Sequence, residues 1–371
     1  MTSKPLIIDT DIHPGARVEW MLPFLSEPWR TRLAGGNRSS GTLGYWNPGG
    51  VNRGDAVTPD GRRVEDYPDE TARYLLDEYG IDYGILNPGS SLHLAVSVHP
   101  DYAAALIGAI NDVMIEHWLP ADSRYRTSIV VYANDPELAV REIHRLGDHP
   151  GVVQVLLPSA SRTPYGQRIF HPIYAAAQEY GLPVAIHPGA EGVGLSGPPT
   201  AVGYPTTYLE WHTGLVGSYI GHLVSMVTEG VFAKFPKLKF VLVEGGISWL
   251  PPIMWRLDKN WKALRMTTPW VERLPSEIIQ EHVLLTTQPV EEPENPAHFH
   301  AILEMFDAAH MLMFATDYPH WDGDTPDFAG RLFPKHLRER VLSANACELY
   351  GLPAATPVAD GSAAAAPVMG R

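Results

Sequence analysis

The chain has 371 residues, with 28 Lys+Arg against 42 Asp+Glu and a formal net charge of −14. That length is ample for a large core, while the acidic balance excludes a surface built for nucleic acid or anionic membrane, which needs a basic stripe. One cysteine, Cys347, excludes a disulfide scaffold or a Cys-based zinc module.

The first residues, Met-Thr-Ser-Lys-Pro, lack the basic-plus-apolar pattern of a signal peptide. No apolar run approaches the ~20 residues of a membrane span. A soluble, cytoplasmic protein is expected. The chain opens with a strand over Leu6–Asp11. Residues 14–66 then form an irregular excursion rich in turn signals, yet carrying Trp20, Trp29 and Trp46. A free linker has no use for three tryptophans, so an ordered excursion over the active-site face is expected.

Further strands are predicted at Tyr83–Leu86, Ser128–Tyr132, Val152–Leu157, Pro183–His187, Lys239–Glu244, Val283–Thr287 and Met311–Thr316. Each has the near-continuous apolar character of a strand buried on both faces. Helical patterns follow each one: Asp69–Tyr79, Asp101–Trp118, Pro136–Leu146 capped by Asp135, Tyr174–Tyr180, Leu209–Thr228, Pro252–Leu264, Pro296–Phe306 and Leu337–Leu349. Eight strand–helix units favour an α/β fold, a (β/α)8 TIM barrel spanning residues 1–351. Residues 352–371 are Ala, Pro, Gly and Ser with few bulky side chains and read as a disordered tail.

Functional groups of such a barrel sit at the C-terminal ends of its strands. On strand one, Asp9, Asp11 and His13 alternate with Ile8 and Ile12 and so share a face. Buried together, they need a partner, and a divalent cation is an economical one. Strand five closes on His187-Pro-Gly, strand six on Glu244-Gly-Gly, and strand eight on Thr316-Asp317-Tyr318-Pro319. His212 falls near the start of helix five, at the active-site end of the barrel. His320, Trp321 and Gln288 lie on loops of the same face, where they can meet substrate. His222 sits almost three turns deeper and reads as structural.

The combination Asp11-x-His13, His187, Glu244-Gly-Gly and Thr316-Asp317-Tyr318-Pro319 resembles the amidohydrolase superfamily, in its branch that includes aminocarboxymuconate-semialdehyde decarboxylase. The stretch Gly230–Phe240 before strand six is similar to that branch too. The resemblance runs from Leu6 to about Gly351. It implies one divalent metal ion, zinc first, with manganese or iron as alternatives. It implies Asp11 and His13 as strand-one ligands, His187 as the strand-five ligand, and Asp317 as the strand-eight carboxylate. Decarboxylases of the branch carry histidine before Gly-Gly at strand six, where this chain has Glu244.

Lysine occurs at 4, 234, 237, 239, 259, 262 and 335, so strand four has none to be carboxylated as the binuclear members use, and one ion is expected. The predicted function is a metal-dependent hydrolase. In it, Asp317 takes the proton of a metal-activated water that attacks an amide, ester, lactone or activated C–C bond. Glu244 and His212 serve as further catalytic groups, His212 or the metal stabilising the developing oxyanion. The alternative is non-oxidative decarboxylation, or hydration, of a small aromatic or enol carboxylate. The partner is a small molecule, which the excursion arginines Arg17, Arg30, Arg32, Arg38 and Arg53 can grip, and Trp20, Trp29, Trp46 and Trp321 can line its pocket. Trp249, Trp255 and Trp261, on three sides of one helix, point to a homodimer or higher homo-oligomer.

Overall fold

A computed structural model describes residues 6–35 and 51–353. Trp46 and Arg38, and the tail from residue 354, lie outside the described residues. Eight parallel strands follow one another in chain order around a barrel: β1 (Ile8–Ile12), β2 (Tyr83–Leu86), β3 (Tyr125–Val130), β4 (Val152–Pro158), β5 (Val184–His187), β6 (Phe240–Leu242), β7 (Val283–Thr286) and β8 (Leu312–Met313). The chain is a (β/α)8 barrel.

Strand alternation builds the two layers of the core. Val155, Leu157, Val184, Ile186, Phe240, Leu242, Val283, Leu285, Leu312 and Phe314 pack in one cluster with the surrounding helices. The residues between them, among them Ala185, Val241, Leu284 and Met313, belong to the other. Each strand is therefore apolar on both sides, which explains its continuous apolar run.

Several helices start on a cap followed by proline: His99-Pro100, Asp135-Pro136, Asn295-Pro296 and Thr325-Pro326. Proline's fixed φ and missing N–H suit this first position. At Asp135 the carboxylate accepts from Glu137 N (3.1 Å) and Leu138 N (3.3 Å). Part of the high proline content is thus helix punctuation.

The barrel closes between β8 and β1 with few ladder bonds. Thr10 N donates to Phe314 O (3.0 Å), Asp317 N to Asp11 O (3.1 Å) and His13 N to Tyr318 O (2.9 Å). Asp9 completes this seam. Its buried carboxylate accepts from Thr316 N (2.9 Å), Thr316 Oγ1 (2.5 Å) and Asp11 N (3.1 Å). Asp9 therefore faces the seam rather than the cluster formed by Asp11 and His13.

Several details differ from the sequence expectation. β3 begins at Tyr125, three residues before the predicted start, because Tyr125 and Thr127 are buried as an apolar residue would be. β6 ends at Leu242, before Glu244. Leu352, assigned to the tail, is buried and donates its N–H to Cys347 O (3.1 Å), so the apolar core extends one residue further. Trp20 stacks on His117 and Trp29 packs against Tyr102, both on an outer helix rather than in a pocket. Of the three helix tryptophans, Trp249 and Trp261 pack on the core, whereas Trp255 is 53% exposed.

Candidate metal centre

Asp11, His13, His187, Glu244 and Asp317 each place a donor atom within 4.8 Å of the others' at the C-terminal mouth of the barrel. His13 Nε2 stands 2.8 Å from Asp317 Oδ1 and 3.5 Å from Asp11 Oδ1. His187 Nε2 stands 3.4 Å from Asp11 Oδ2 and 3.1 Å from Glu244 Oε2. Both imidazoles are oriented through their other nitrogen. His13 Nδ1 donates to Asn87 O (3.0 Å) and His187 Nδ1 to Pro188 O (2.7 Å). A carbonyl can only accept, so in the neutral rings Nε2 carries the lone pair, as a metal ligand requires. Burial holds His13 below the ordinary imidazole range, which favours that neutral form.

The fit to a cation can be read from what is unsatisfied. Asp11 Oδ2, His187 Nε2 and Asp317 Oδ2 are buried without a hydrogen-bond partner. Orphaned buried acceptors are costly. These three converge, and a divalent ion would serve them all. Two imidazoles with carboxylates form a borderline-hard donor set that suits first-row divalent ions.

Backbone strain gathers at the same place. Glu244 (φ 58°) and Asp317 (φ 57°) are the described non-glycine residues in the left-handed region, a conformation costing of order 1–3 kcal/mol each. Hydrogen bonds hold them there: Glu244 N donates to Thr286 Oγ1 (2.9 Å), and His320 N to Asp317 O (2.8 Å). The turn at Glu244 explains why β6 stops short.

Asp317 also accepts from His320 Nδ1 (2.7 Å). Burial alone would lower the His320 pKa, but the adjacent Asp317 carboxylate outweighs it and holds it at about 9. Burial would likewise raise Asp317, yet His320 and His13 keep it well below the usual carboxylate range. Glu244 is pushed up by burial first, then by Asp317 and Asp11.

Above the cluster lies a cavity of about 500 Å³. Tyr208, Trp211, Trp321, Leu92 and Leu215 give it flat apolar walls, and His212, His320 and Asp322 add polar groups. His212 Nε2 lies 3.5 Å from Asp322 Oδ2 and 3.9 Å from Glu244 Oε1. Gln288 is buried and does not line the cavity; its amide donates to Asp322 O (3.3 Å). Among the described excursion arginines, Arg17 pairs with Glu19 and Arg53 with Asp55 away from the cavity, which Arg63 lines instead.

Asn87 is a residue that sequence reasoning missed. Its side chain donates to Asp11 Oδ1 (2.8 Å) and accepts from Ser128 Oγ (2.5 Å) and Gln154 Nε2 (3.0 Å), and its carbonyl takes His13 Nδ1. Tyr350 OH donates to Gln154 Oε1 (3.0 Å) at the far end of the same network. A signal was present. Asn87-Pro88-Gly89 ends β2 as His13-Pro14-Gly15 follows β1 and His187-Pro188-Gly189 ends β5. The glycine matters at 89, where a Cβ would lie 2.9 Å from His13 Nδ1.

His222 sits outside the cavity lining. Its Nε2 donates to Ser159 O (2.7 Å) and its Nδ1 accepts from Tyr165 N (3.1 Å), which fixes a neutral tautomer. Burial lowers its pKa from 6.5 to about 4. Between those values the unfolded chain binds a proton that the folded one refuses, so stability falls as pH drops through the window. The expected loss is about 3 kcal/mol between pH 6.5 and 4. Urea unfolding at both pH values checks it; a His222→Gln chain with the same acid loss would refute the assignment.

The amidohydrolase family model matches residues 8–352. The chain belongs to the amidohydrolase family. The expectation of an enzyme of that superfamily stands with the match. A relative of this amidohydrolase, gamma-resorcylate decarboxylase of Polaromonas sp. strain JS666, is 27% identical over 310 residues, covering 78% of this chain and 89% of its own. Among solved structures, an amidohydrolase from Mycobacterium avium subsp. paratuberculosis superposes with a TM-score of 0.70 at 19% identity, over 94% of this chain and 100% of its own. A dihydroxybenzoic acid decarboxylase from Polaromonas sp., with bound manganese and the inhibitor 2-nitroresorcinol, gives 0.64 at 19%, over 94% and 98%. No helix among the described residues is long and apolar enough to cross a membrane.

Proposed function

We propose that this amidohydrolase is a metal-dependent carboxy-lyase that removes CO2, without oxidation, from a small aromatic or enol carboxylate. The observation that carries the reading is the convergence of Asp11, His13, His187 and Asp317 beneath a cavity walled by Tyr208, Trp211 and Trp321. The gamma-resorcylate decarboxylase relative supports the reaction class. It favours decarboxylation over the hydrolysis that donor chemistry alone suggests first.

Asp11, His13, His187 and Asp317 would hold the ion, with Glu244 beside them. When bound, the ion supplies positive charge that fixes an oxygen-bearing substrate and offsets negative charge developing on it. The solved relative with manganese makes that ion the first to test, ahead of zinc. The aromatic walls suit a flat ring. As the C–C bond to the carboxyl breaks, its electron pair stays on the ring or enol carbon and CO2 leaves. His320, protonated beside Asp317, then donates its proton to that carbon. The imidazole missing from strand six is thus replaced from the loop after strand eight.

Hydrolysis is kept as a second reading on one observation, Glu244 where related decarboxylases have histidine: a carboxyl whose proton affinity burial raises is a strong acceptor for a proton from water once ionised. The test offers manganese- and zinc-reconstituted protein a panel of ortho-hydroxybenzoates and, separately, esters, amides and lactones. CO2 release matched by the decarboxylated arene is expected, and is lost in His320→Asn. Turnover of the second panel without CO2 would overturn the proposal.

A further inference from the structure

The acidic run Glu291-Glu292-Pro293-Glu294 follows β7 and takes no part in the chemistry proposed above. Glu292 and Glu294 are exposed, but Glu291 is half-buried and turns back toward the end of β6. Its Oε1 accepts from Ile247 N (3.1 Å) and Ser248 N (3.0 Å), and its Oε2 from Ile247 N (3.1 Å). We propose that Glu291 is a positioning residue: by closing the turn over residues 244–248, it holds the Glu244 carboxylate against the donor cluster.

Three observations carry this. The first is the strain in the turn. Glu244 (φ 58°) and Gly246 (φ 69°) both lie in the left-handed region, which a non-glycine residue keeps only where its surroundings fix it. Glu244 N is tied to Thr286 Oγ1 at the end of β7 (2.9 Å), and Gly245 O accepts from Trp249 Nε1 (2.8 Å). Glu291 supplies the remaining tie, beyond the two glycines. Thr286 and Glu291 thus hold the turn at both ends, from one strand and the loop that follows it. The second observation is the room left for the carboxylate. A Cβ at Gly246 would lie 2.8 Å from Glu291 Oε1, and one at Gly245 would lie 2.8 Å from Tyr219 Cδ1. The two glycines after Glu244 and the carboxylate of Glu291 are therefore parts of one arrangement.

The third observation separates this role from the ordinary one. A carboxylate near a helix start usually caps the helix, by accepting from amides of its first turn. The helix here is Leu250–Leu264, with Trp249 at its N-cap. Ile247 and Ser248 precede both, so Glu291 bonds the turn and not the helix. Glu291 does not line the cavity either. Its route to the site runs through Glu244, whose Oε2 stands 3.1 Å from His187 Nε2. Without Glu291 the turn is free to relax toward an unstrained backbone, and the Glu244 side chain moves with it.

The inference rests on the reading of the cluster as a cation site, and not on the reaction assigned to it. Its test titrates the full metal-free chain with Mn(II) in a calorimeter. Glu291→Ala is expected to weaken Mn(II) binding about tenfold or more, whereas Glu291→Gln, which keeps the shared Oε1 acceptor, stays within about threefold of the parent. The deciding measurement repeats Glu291→Ala in a chain that already carries Glu244→Ala. There the added loss should be under about twofold, because the group that Glu291 places is gone. Near-ultraviolet circular dichroism checks each fold, and Glu291→Asp, a methylene shorter, goes through the same cycle in case alanine unfolds the chain. An equal loss in both backgrounds would overturn the proposal, since a merely structural tie weakens the site with or without the Glu244 carboxylate. Full affinity in Glu291→Ala would overturn it too. A parent chain that binds no Mn(II) would overturn the cation site and this inference with it. Coupling between the two residues in a chain that releases no CO2 would support the inference and refute the reaction alone.

Discussion

Asp317→Asn is expected to lower turnover by about 10³-fold or more. The carboxylate faces His13 Nε2 at 2.8 Å and His320 Nδ1 at 2.7 Å, and its second oxygen is a buried orphan. An amide keeps the size and one acceptor but removes the charge. The proposed ion then loses an anionic ligand, and His320 loses the neighbour that holds its pKa at about 9. Folding should be spared, because asparagine tolerates the left-handed backbone at this position (φ 57°) as well as aspartate does. The check is kcat/KM under saturating metal, beside metal content and thermal unfolding. A folded variant within tenfold of the parent would remove Asp317 from the chemistry.

The second large effect lies one layer behind the donors. Asn87→Leu leaves Asp11 Oδ1, Ser128 Oγ and Gln154 Nε2 short of a partner in the barrel interior. Each buried orphan costs about 1–3 kcal/mol, with partial re-pairing between Ser128 and Gln154, already 2.9 Å apart. A loss of about 3–5 kcal/mol in unfolding free energy follows. Metal affinity should fall about 10–100-fold, the usual consequence of removing a group that orients a ligand. The bond from His13 Nδ1 goes to the main-chain carbonyl of Asn87 and survives the substitution, so the variant isolates Asp11. Urea unfolding of metal-free protein and calorimetric metal titration separate the two effects. Unchanged metal affinity would show that Asp11 does not depend on Asn87.

Much of this architecture was legible because strand ends carry their own punctuation. The barrel followed from eight apolar runs alternating with helical patterns, and the polar residues closing β5, β6 and β8 do meet at one mouth. What could not be read was set by three-dimensional partners. Nothing in the sequence around Asp9 distinguishes it from Asp11, yet Thr316, more than 300 positions away, draws Asp9 into the seam. Trp20 and Trp29 looked like pocket walls by composition, but each found a flat neighbour on an outer helix. Gln288 lies on the expected face, but its side chain turns behind the wall to hold Asp322. Trp211 and Tyr208 became visible as cavity walls only once the segment after β5 had folded over the mouth.

The seam between β8 and β1 has a consequence for the order of events during synthesis. Asp11 and His13 are synthesised about 300 residues before Asp317 and His320. The hydrogen bonds that close the ring join residues 9–13 to residues 314–318. A growing chain can therefore fold its early strand–helix units while still lacking a complete donor set. Capture of the ion then becomes a late event, and chains broken off before β8 should leave the ribosome metal-free.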